Sequence, residues 1–179
     1  MADESTTAES APGVTSPEEA PPALLEMRVK QVVLDPRNQT PIVILESEDH
    51  HHALPIWIGP YEATSIIMAL EEIELPRPMT HDLVIDIFES LETKFEYVLI
   101  REVKDGAFFA EIALNLGGRP VTVDARPSDS IALALRADVP ILAERAVCDD
   151  MTRIDEFLKE ARAEQYKALQ EERRVKDAE

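Results

Sequence analysis

Apolar and polar residues alternate along several short stretches of the chain, as they do in half-buried β-strands. Residues 27–34 and 41–46 form one pair of such stretches, separated by an Asp-Pro-Arg-Asn turn. Residues 94–103 and 107–116 form a second pair, joined by Asp105-Gly106, which is typical of tight hairpin turns. Both pairs are predicted to be antiparallel hairpins. Further strands are predicted at residues 53–58, 121–124 and 140–143.

Three other stretches repeat apolar residues at helical spacing. The first follows Gly59-Pro60, with proline near the first helical position. The second has Thr80 as its predicted N-cap, and the third has Ser128 before residues 129–137. The apolar positions of the first are Ala63, Ile66, Ile67, Leu70 and Ile73, and those of the second are Leu83, Ile87 and Leu91. This order predicts an α+β fold, with a mixed, largely antiparallel sheet packed against several helices.

Composition separates two flanking segments from the predicted domain. Residues 1–26 contain six acidic residues, no basic ones and four prolines, and we expect a disordered acidic arm. Residues 151–179 are highly charged and carry a narrow apolar stripe, which predicts a C-terminal helix that docks by its first two turns. Residues 27–150 hold nearly all the β-branched and aromatic residues and form a single predicted domain.

Charge limits what this domain can bind. The chain of 179 residues has a net charge of −18, of which residues 27–150 carry −11. This balance argues against a broad basic surface that coats nucleic acid, so any such contact must be local and salt-sensitive. The single cysteine, Cys148, excludes an intramolecular disulfide and favours a reducing, cytoplasmic setting. No apolar run approaches the roughly 20 residues that cross a bilayer, so no membrane partner is expected.

Two polar segments, residues 77–82 and 124–129, mark points where the chain turns from extended to helical. Each combines an arginine and an acid beside a predicted helix start, where unpaired backbone N–H groups favour an anion such as phosphate. Phosphodiester cleavage needs a proton-transfer group, positive charge on the phosphate and, in many enzymes, a divalent metal. The predicted catalytic residues are Arg77, His81, Asp82 and Arg126, and the predicted ligands for Mg²⁺ or Mn²⁺ are Asp124 and Asp129, with Asp82 as a further candidate ligand.

The same residues also have a structural interpretation. Thr80 and Ser128 are adequate as helix caps, and Asp82 and Asp129 can stabilise first turns. Arg126 can form an ion pair with Asp124. On this interpretation neither segment needs a ligand.

Other polar and aromatic residues also allow two interpretations. Glu62 can be a helix-dipole partner or a metal ligand, and we favour the former. The three consecutive histidines from His50 point to alternate faces of an extended chain, so an exposed turn is favoured over a metal site. Trp57 and Phe108-Phe109 are interpreted as core or interface residues, because a base-stacking platform is expected beside a basic groove.

Several of these segments together resemble the bifunctional nuclease (BFN) family. The resemblance covers residues 27–150 in order and without large gaps, and Ser130 stands where the family usually has alanine. It implies a compact α+β domain, association into homo-oligomers, most simply a dimer, and cleavage of both DNA and RNA by some members. The segments that carry it are Leu54-Pro55-Ile56-Trp57-Ile58-Gly59 with Glu62-Ala63, residues 77–83, residues 108–114, and residues 124–136 with Pro140-Ile141.

Two functional hypotheses follow. The first is a metal-assisted nuclease in which His81 transfers a proton and Arg77 and Arg126 hold the phosphate. The second is a non-catalytic oligomeric module that binds a small anionic ligand or a protein partner through the same segments. The apolar helix at residues 129–137 fits either burial within the domain or a subunit interface.

Overall fold

A computed structural model describes residues 23–149, within which seven strands and four helices are found. The strands are β1 (Leu24–Leu34), β2 (Pro41–Ser47), β3 (Ala53–Trp57), β4 (Thr93–Lys104), β5 (Ala107–Leu116), β6 (Arg119–Ala125) and β7 (Ile141–Glu144). The helices are α1 (Pro60–Leu70), α2 (Thr80–Ser90), α3 (Pro127–Ala137) and α4 (Arg145–Asp149). None of these helices is long and apolar enough to span a membrane.

One mixed sheet contains all seven strands, in the order β3-β2-β1-β7-β4-β5-β6. The hairpins β1–β2 and β4–β5 are antiparallel, as predicted. Strand β7 lies between them, antiparallel to β1 and parallel to β4. This short strand therefore joins two hairpins into one sheet, and the predicted α+β class with a largely antiparallel sheet is confirmed.

Helix α3 lies at the centre of the packing between the helices and the sheet. It contacts α1, α2, β4 and β5. Ser130, Ile131, Ala132 and Ala134 are all at most 1% exposed, because small side chains let the neighbouring elements approach closely. Burial inside the domain thus accounts for the apolar surface of this helix.

Two predicted helix caps are wrong by one or two residues. The N-cap of α2 is Met79 rather than Thr80, and its backbone N–H donates to the Asp82 carboxylate at 2.7 Å. The N-cap of α3 is Arg126, because Pro127 starts the helix with its fixed φ and leaves Ser128 inside the first turn.

The apolar stripe predicted for α2 faces solvent. The helix packs on the core through a neighbouring set of apolar residues, Val84, Ile85 and Phe88. Phe88 makes an edge-to-face contact with Phe95, at 5.2 Å between ring centroids. Periodicity alone could not choose between the two sets. The half-exposed residues of the predicted stripe are Leu83, Ile87 and Leu91.

Two element boundaries also differ from prediction. Helix α1 ends at Leu70 and does not reach Ile73. Strand β1 begins at Leu24, within the predicted arm, because Leu24–Met27 pairs with β7. The remainder of the acidic arm, through residue 22, and the C-terminal helix predicted at residues 151–179 lie outside the described residues.

Candidate functional site

Five polar side chains from three helices, four of them at or near a helix start, meet at one place, which we call the helix-junction cluster. Glu62 and Ser65 come from α1, His81 comes from α2, and Arg126 and Asp129 come from the start of α3. All five line a single cavity of about 240 Å³. The packing of α1 and α2 against α3 therefore brings His81 to the second predicted polar segment, 48 residues further along the chain.

His81 connects a hydroxyl to a carboxylate. The Ser65 Oγ lies 2.9 Å from His81 Nδ1, and His81 Nε2 lies 3.1 Å from Asp129 Oδ1. A carboxylate only accepts hydrogen bonds, so we assign the proton of the neutral imidazole to Nε2. Nδ1 then accepts the hydrogen bond that the Ser65 hydroxyl donates. This arrangement fixes the ring and leaves Nδ1 as its proton-accepting atom.

Arg126 joins the two acidic members of the cluster. Its Nε and Nη2 donate to the Asp129 carboxylate at 2.7 and 3.1 Å, and its Nη1 forms an ion pair with Glu62 Oε1 at 2.9 Å. These contacts use three of the five N–H donors of the guanidinium group. The side chain is 65% exposed, so two donors remain for a ligand in the cavity.

Two charged groups of the cluster, Arg126 and Asp129, shift one another's pKa toward the ionised form. Burial by itself would raise the pKa of Asp129, but the hydrogen bonds from Arg126 and His81 outweigh it and hold the pKa below its usual value. The pKa of Arg126 is raised, first by its hydrogen bond to Asp129 and then by Glu62. Asp129 therefore stays ionised across the neutral range and fixes the tautomer of His81.

The local sequence explains why Glu62 can reach Arg126. A Cβ atom at Gly59 would lie only 2.2 Å from Glu62 Oε2, so a larger residue there would displace this carboxylate from its place over the helix start. Pro60 begins α1, and Pro127 fixes the start of α3 directly after Arg126. The two helix starts thus present Glu62 and Arg126 to one another.

Two predicted catalytic residues lie elsewhere. Asp82 accepts hydrogen bonds from the Met79 backbone N–H and from the Arg136 guanidinium, which ties α2 to α3. Burial would raise the pKa of Asp82, and these two hydrogen bonds lower it below its usual value. Arg77 is exposed and lines a separate cavity with Asp82 and Asp86. The helix-junction cavity is lined by neither Arg77 nor Asp82.

The predicted metal ligands are not brought together. Asp124 is exposed on β6, in register with Glu111, and does not line the cavity that Asp129 lines. Both carboxylate oxygens of Asp129 already accept hydrogen bonds from Arg126 or His81. Between residues 23 and 149, no three His, Cys, Asp or Glu side chains are placed to hold a metal ion. As placed, these residues do not fit the predicted Mg²⁺ or Mn²⁺ site.

Ser65 is absent from the residues predicted from the sequence, and the contact of Glu62 with Arg126 differs from its predicted role as a helix-dipole partner. Ser65 is 2% exposed and sits between buried Ala63 and Ile66 on the apolar face of α1. A small polar residue at that position, three residues after Glu62, was the available signal. Trp57, interpreted as a core or interface residue, is not part of the core, because it is 43% exposed and lines a second cavity. Its role at an interface stays a prediction.

Comparisons with known proteins find a matching family model and several similar sequences. The family model described as "Bifunctional nuclease domain" matches residues 43–155. An uncharacterised protein of Mycobacterium tuberculosis is 42% identical over 123 residues, which cover 68% of this chain and 73% of that protein. Bifunctional nuclease 1 of Oryza sativa subsp. indica is 30% identical over 59% of this chain and 33% of its own length. Bifunctional nuclease 2 of Arabidopsis thaliana is 29% identical over 63% of this chain and 36% of its own length.

Proposed function

The chain belongs to the bifunctional nuclease domain family, and we propose that it hydrolyses phosphodiester bonds of DNA and RNA at the helix-junction cluster. One observation carries this proposal: a continuous series of hydrogen bonds runs from Ser65 through His81 and Asp129 to Arg126 along a single cavity. The names of the rice and Arabidopsis relatives supply the class of reaction.

Arg126 is the phosphate-binding group in this proposal. Its planar guanidinium matches the oxygens of a phosphodiester, and its two remaining N–H donors can bind them without breaking the pair with Asp129. As charge develops on the phosphate oxygens during attack, the same donors stabilise it. Because the rest of the domain is acidic, few other phosphates are contacted, and binding weakens with salt.

His81 is the proton-transfer group. A water molecule in the cavity donates a hydrogen bond to Ser65 Oγ, whose own proton lies on the path to His81 Nδ1. As the water oxygen attacks phosphorus, its proton passes to Ser65 and the Ser65 proton passes to Nδ1. The bond from phosphorus to the leaving oxygen then breaks, and the imidazolium returns one proton to that oxygen. Asp129 stabilises the imidazolium that forms in between.

The test measures cleavage of end-labelled single-stranded and duplex DNA and RNA by the full chain. We expect Arg126→Met to lower the rate by about 100-fold or more, because it removes the donors that face the developing charge. The matched control is Arg101→Met, since Arg101 also pairs with a carboxylate, Glu111, at 2.9 Å, but lies on β4 away from the cavity. That variant should cleave at the rate of the unmodified chain.

Two outcomes would contradict the proposal. An equal loss of cleavage rate in the Arg126 and Arg101 variants would show that the helix-junction cluster is not the active site. Cleavage activity that separates from the chain on gel filtration would show that this chain is not the nuclease. Use of Mg²⁺ or Mn²⁺ stays a prediction, which the same assay tests with each metal and with EDTA. Thermal stabilisation by phosphate without cleavage would favour the non-catalytic binding module.

The chain's assembly and location are also proposals. We infer a cytoplasmic homo-oligomer, most simply a dimer, from the single cysteine and from the apolar stripe that α2 leaves half-exposed. Light scattering of the purified full chain measures its mass directly. A monomeric mass at micromolar concentration would contradict the oligomer.

A further inference from the structure

A second and larger cavity adjoins the helix-junction cluster. Its volume is about 500 Å³, which is within the range of small-ligand sites in proteins. Glu62 and Arg126 line both cavities, so the two are neighbours that share one guanidinium. The surface of both cavities is mainly apolar, but the five residues of the polar cluster line the smaller one, and the rings of Trp57 and Phe108 line the larger one. The main apolar lining residues are Ile56, Trp57, Ile58, Ala107 and Phe108.

Trp57 is a fixed aromatic wall of this cavity. Its indole Nε1–H donates to Asp35 Oδ2 at 3.2 Å, and Asp35 is itself buried and held by the backbone N–H of Arg37 at 3.0 Å. The indole therefore has a defined orientation although its side chain is 43% exposed. An aromatic ring that is held in place at an open cavity is suited to stacking against a flat ligand, because little side-chain entropy is lost on binding.

The β4–β5 turn lines another part of the larger cavity. Gly106 has a φ of +78°, and a Cβ built on it would meet nothing within 4 Å, so this turn leaves open space beside Phe108. Ala107 adds only a methyl group. Gly106 and Ala107 thus add little bulk beside the Phe108 ring, and we call this side of the cavity the slot.

We propose that this cavity binds one nucleobase of a single-stranded nucleic acid whose phosphate lies at Arg126, with Trp57 and Phe108 as the aromatic walls. The inference rests on the proposed function for the position of the phosphate. A nucleotide is favoured over a purely apolar ligand, because the Arg126 guanidinium, which lines both cavities, retains two N–H donors that can bind a phosphate. Bases in a duplex are paired and stacked, so only an unpaired base can enter the slot.

Trp57 also provides the readout, since it is the only tryptophan in the chain. The full chain is titrated with 5′-AMP, ribose 5-phosphate and inorganic phosphate, and its intrinsic fluorescence is followed. We expect saturable quenching by 5′-AMP and none by the two probes that lack a base. A short single-stranded oligonucleotide should quench in the same way, and the corresponding duplex should bind at least about 5-fold more weakly, because its bases are not available for stacking.

Two neighbouring phenylalanines on β5 give a matched pair of variants. Phe108 lines the cavity, whereas Phe109 is 39% exposed and does not line it. Phe108→Ala should weaken 5′-AMP binding by about 5-fold or more, and Phe109→Ala should leave it unchanged. Because Phe108 also packs against the core, a second variant, Ala107→Leu, fills the slot from its exposed rim and should weaken 5′-AMP binding by a similar factor.

Equal binding of 5′-AMP and ribose 5-phosphate would overturn the proposal, because it would show that only the phosphate is held. Equal weakening by the Phe108 and Phe109 variants, or unchanged binding in Ala107→Leu, would overturn it as well. The failure of the proposed function is distinguishable from these results. If 5′-AMP quenches the fluorescence saturably but the chain cleaves no nucleic acid, the base site is supported and the proposed nuclease activity is contradicted.

Discussion

Two regions of this domain use the same ionic chemistry in different surroundings. In the helix-junction cluster, Asp129 accepts hydrogen bonds from a histidine and an arginine. On the sheet, Glu46 of β2 accepts from Lys30 and Arg28 of β1 and from His50, and we call these four residues the strand cluster. Its partners, Lys30 first, then His50 and Arg28, lower the pKa of Glu46 to about 2. Both regions therefore hold a carboxylate ionised with a histidine beside it.

The difference lies in what else the histidine contacts. His50 and Arg28 are each 59% exposed on their side chains, and neither cavity beside Arg126 is lined by any residue of the strand cluster. Among residues 23–149, His50 has Glu46 and Arg28 as its side-chain partners, whereas His81 has a hydroxyl on its second nitrogen and a cavity next to it. A charged cluster with a histidine is thus not enough to propose an active site. The helix-junction cluster is distinguished by the hydrogen bond from Ser65 to His81 and by the cavity beside them.

The largest expected effect comes from exchanging the two histidines for alanine. We expect His81→Ala to lower the cleavage rate by about 100-fold or more, because it removes the proton acceptor. His50→Ala should cleave at the unmodified rate, since His50 has no path to the cavity. Single-turnover cleavage of a labelled single strand measures both. Similar rates for the two variants would show that the proton path from Ser65 is not used.

An intermediate effect is expected on stability when the strand cluster is broken. Glu46→Gln keeps the shape but loses the charge that three partners share, which should cost about 2 kcal/mol of unfolding free energy at neutral pH. The measurement is the urea midpoint of unfolding, and cleavage by the folded variant should be unchanged.

The pH dependence of that loss has a definite sign. The pKa of Glu46 in the folded chain is about 2, below its ordinary value of 4.5, so the stabilisation is fully present above pH 4.5 and is lost as the pH falls through 2. The difference between the unmodified chain and Glu46→Gln should be constant from pH 7 to about pH 5 and shrink below that. A difference that grows toward acid would contradict the assignment of the charge to Glu46.

The two regions also differ in how far the sequence predicts them. Strands β1, β2, β4 and β5 follow from local alternation and turn residues, because a hairpin pairs neighbouring segments. The central position of β7 could not be predicted, since Leu24–Met27 pairs with Ile141–Glu144 across most of the chain. Long-range pairing of this kind leaves no local periodicity.

For the site, the predicted polar segments contained His81, Arg126 and Asp129, because helix starts are places where such groups gather. The partners of Ser65 and Glu62 depend on how α1 packs against α2 and α3, and the polar residue on the apolar face of α1 does not by itself identify them. The predicted grouping of Arg77, Asp82 and Asp124 with these residues followed proximity in sequence. In the structure Arg77 precedes α2, Asp82 binds Arg136 and Asp124 lies on β6, so none of the three lines the helix-junction cavity.

The smallest effect distinguishes the two interpretations of Asp82. Its carboxylate caps α2 at Met79 and binds Arg136 of α3, so a structural role predicts that Asp82→Asn costs about 1 kcal/mol of stability and changes kcat little. Urea unfolding and cleavage at a temperature where the variant is folded measure the two quantities separately. The control is Asp86→Asn, one turn further along α2, which is exposed and lines the same cavity as Arg77. If Asp82→Asn instead keeps its stability and loses cleavage about as completely as His81→Ala, Asp82 acts on the substrate. The helix-junction cluster would then extend along α2 from His81 to Asp82.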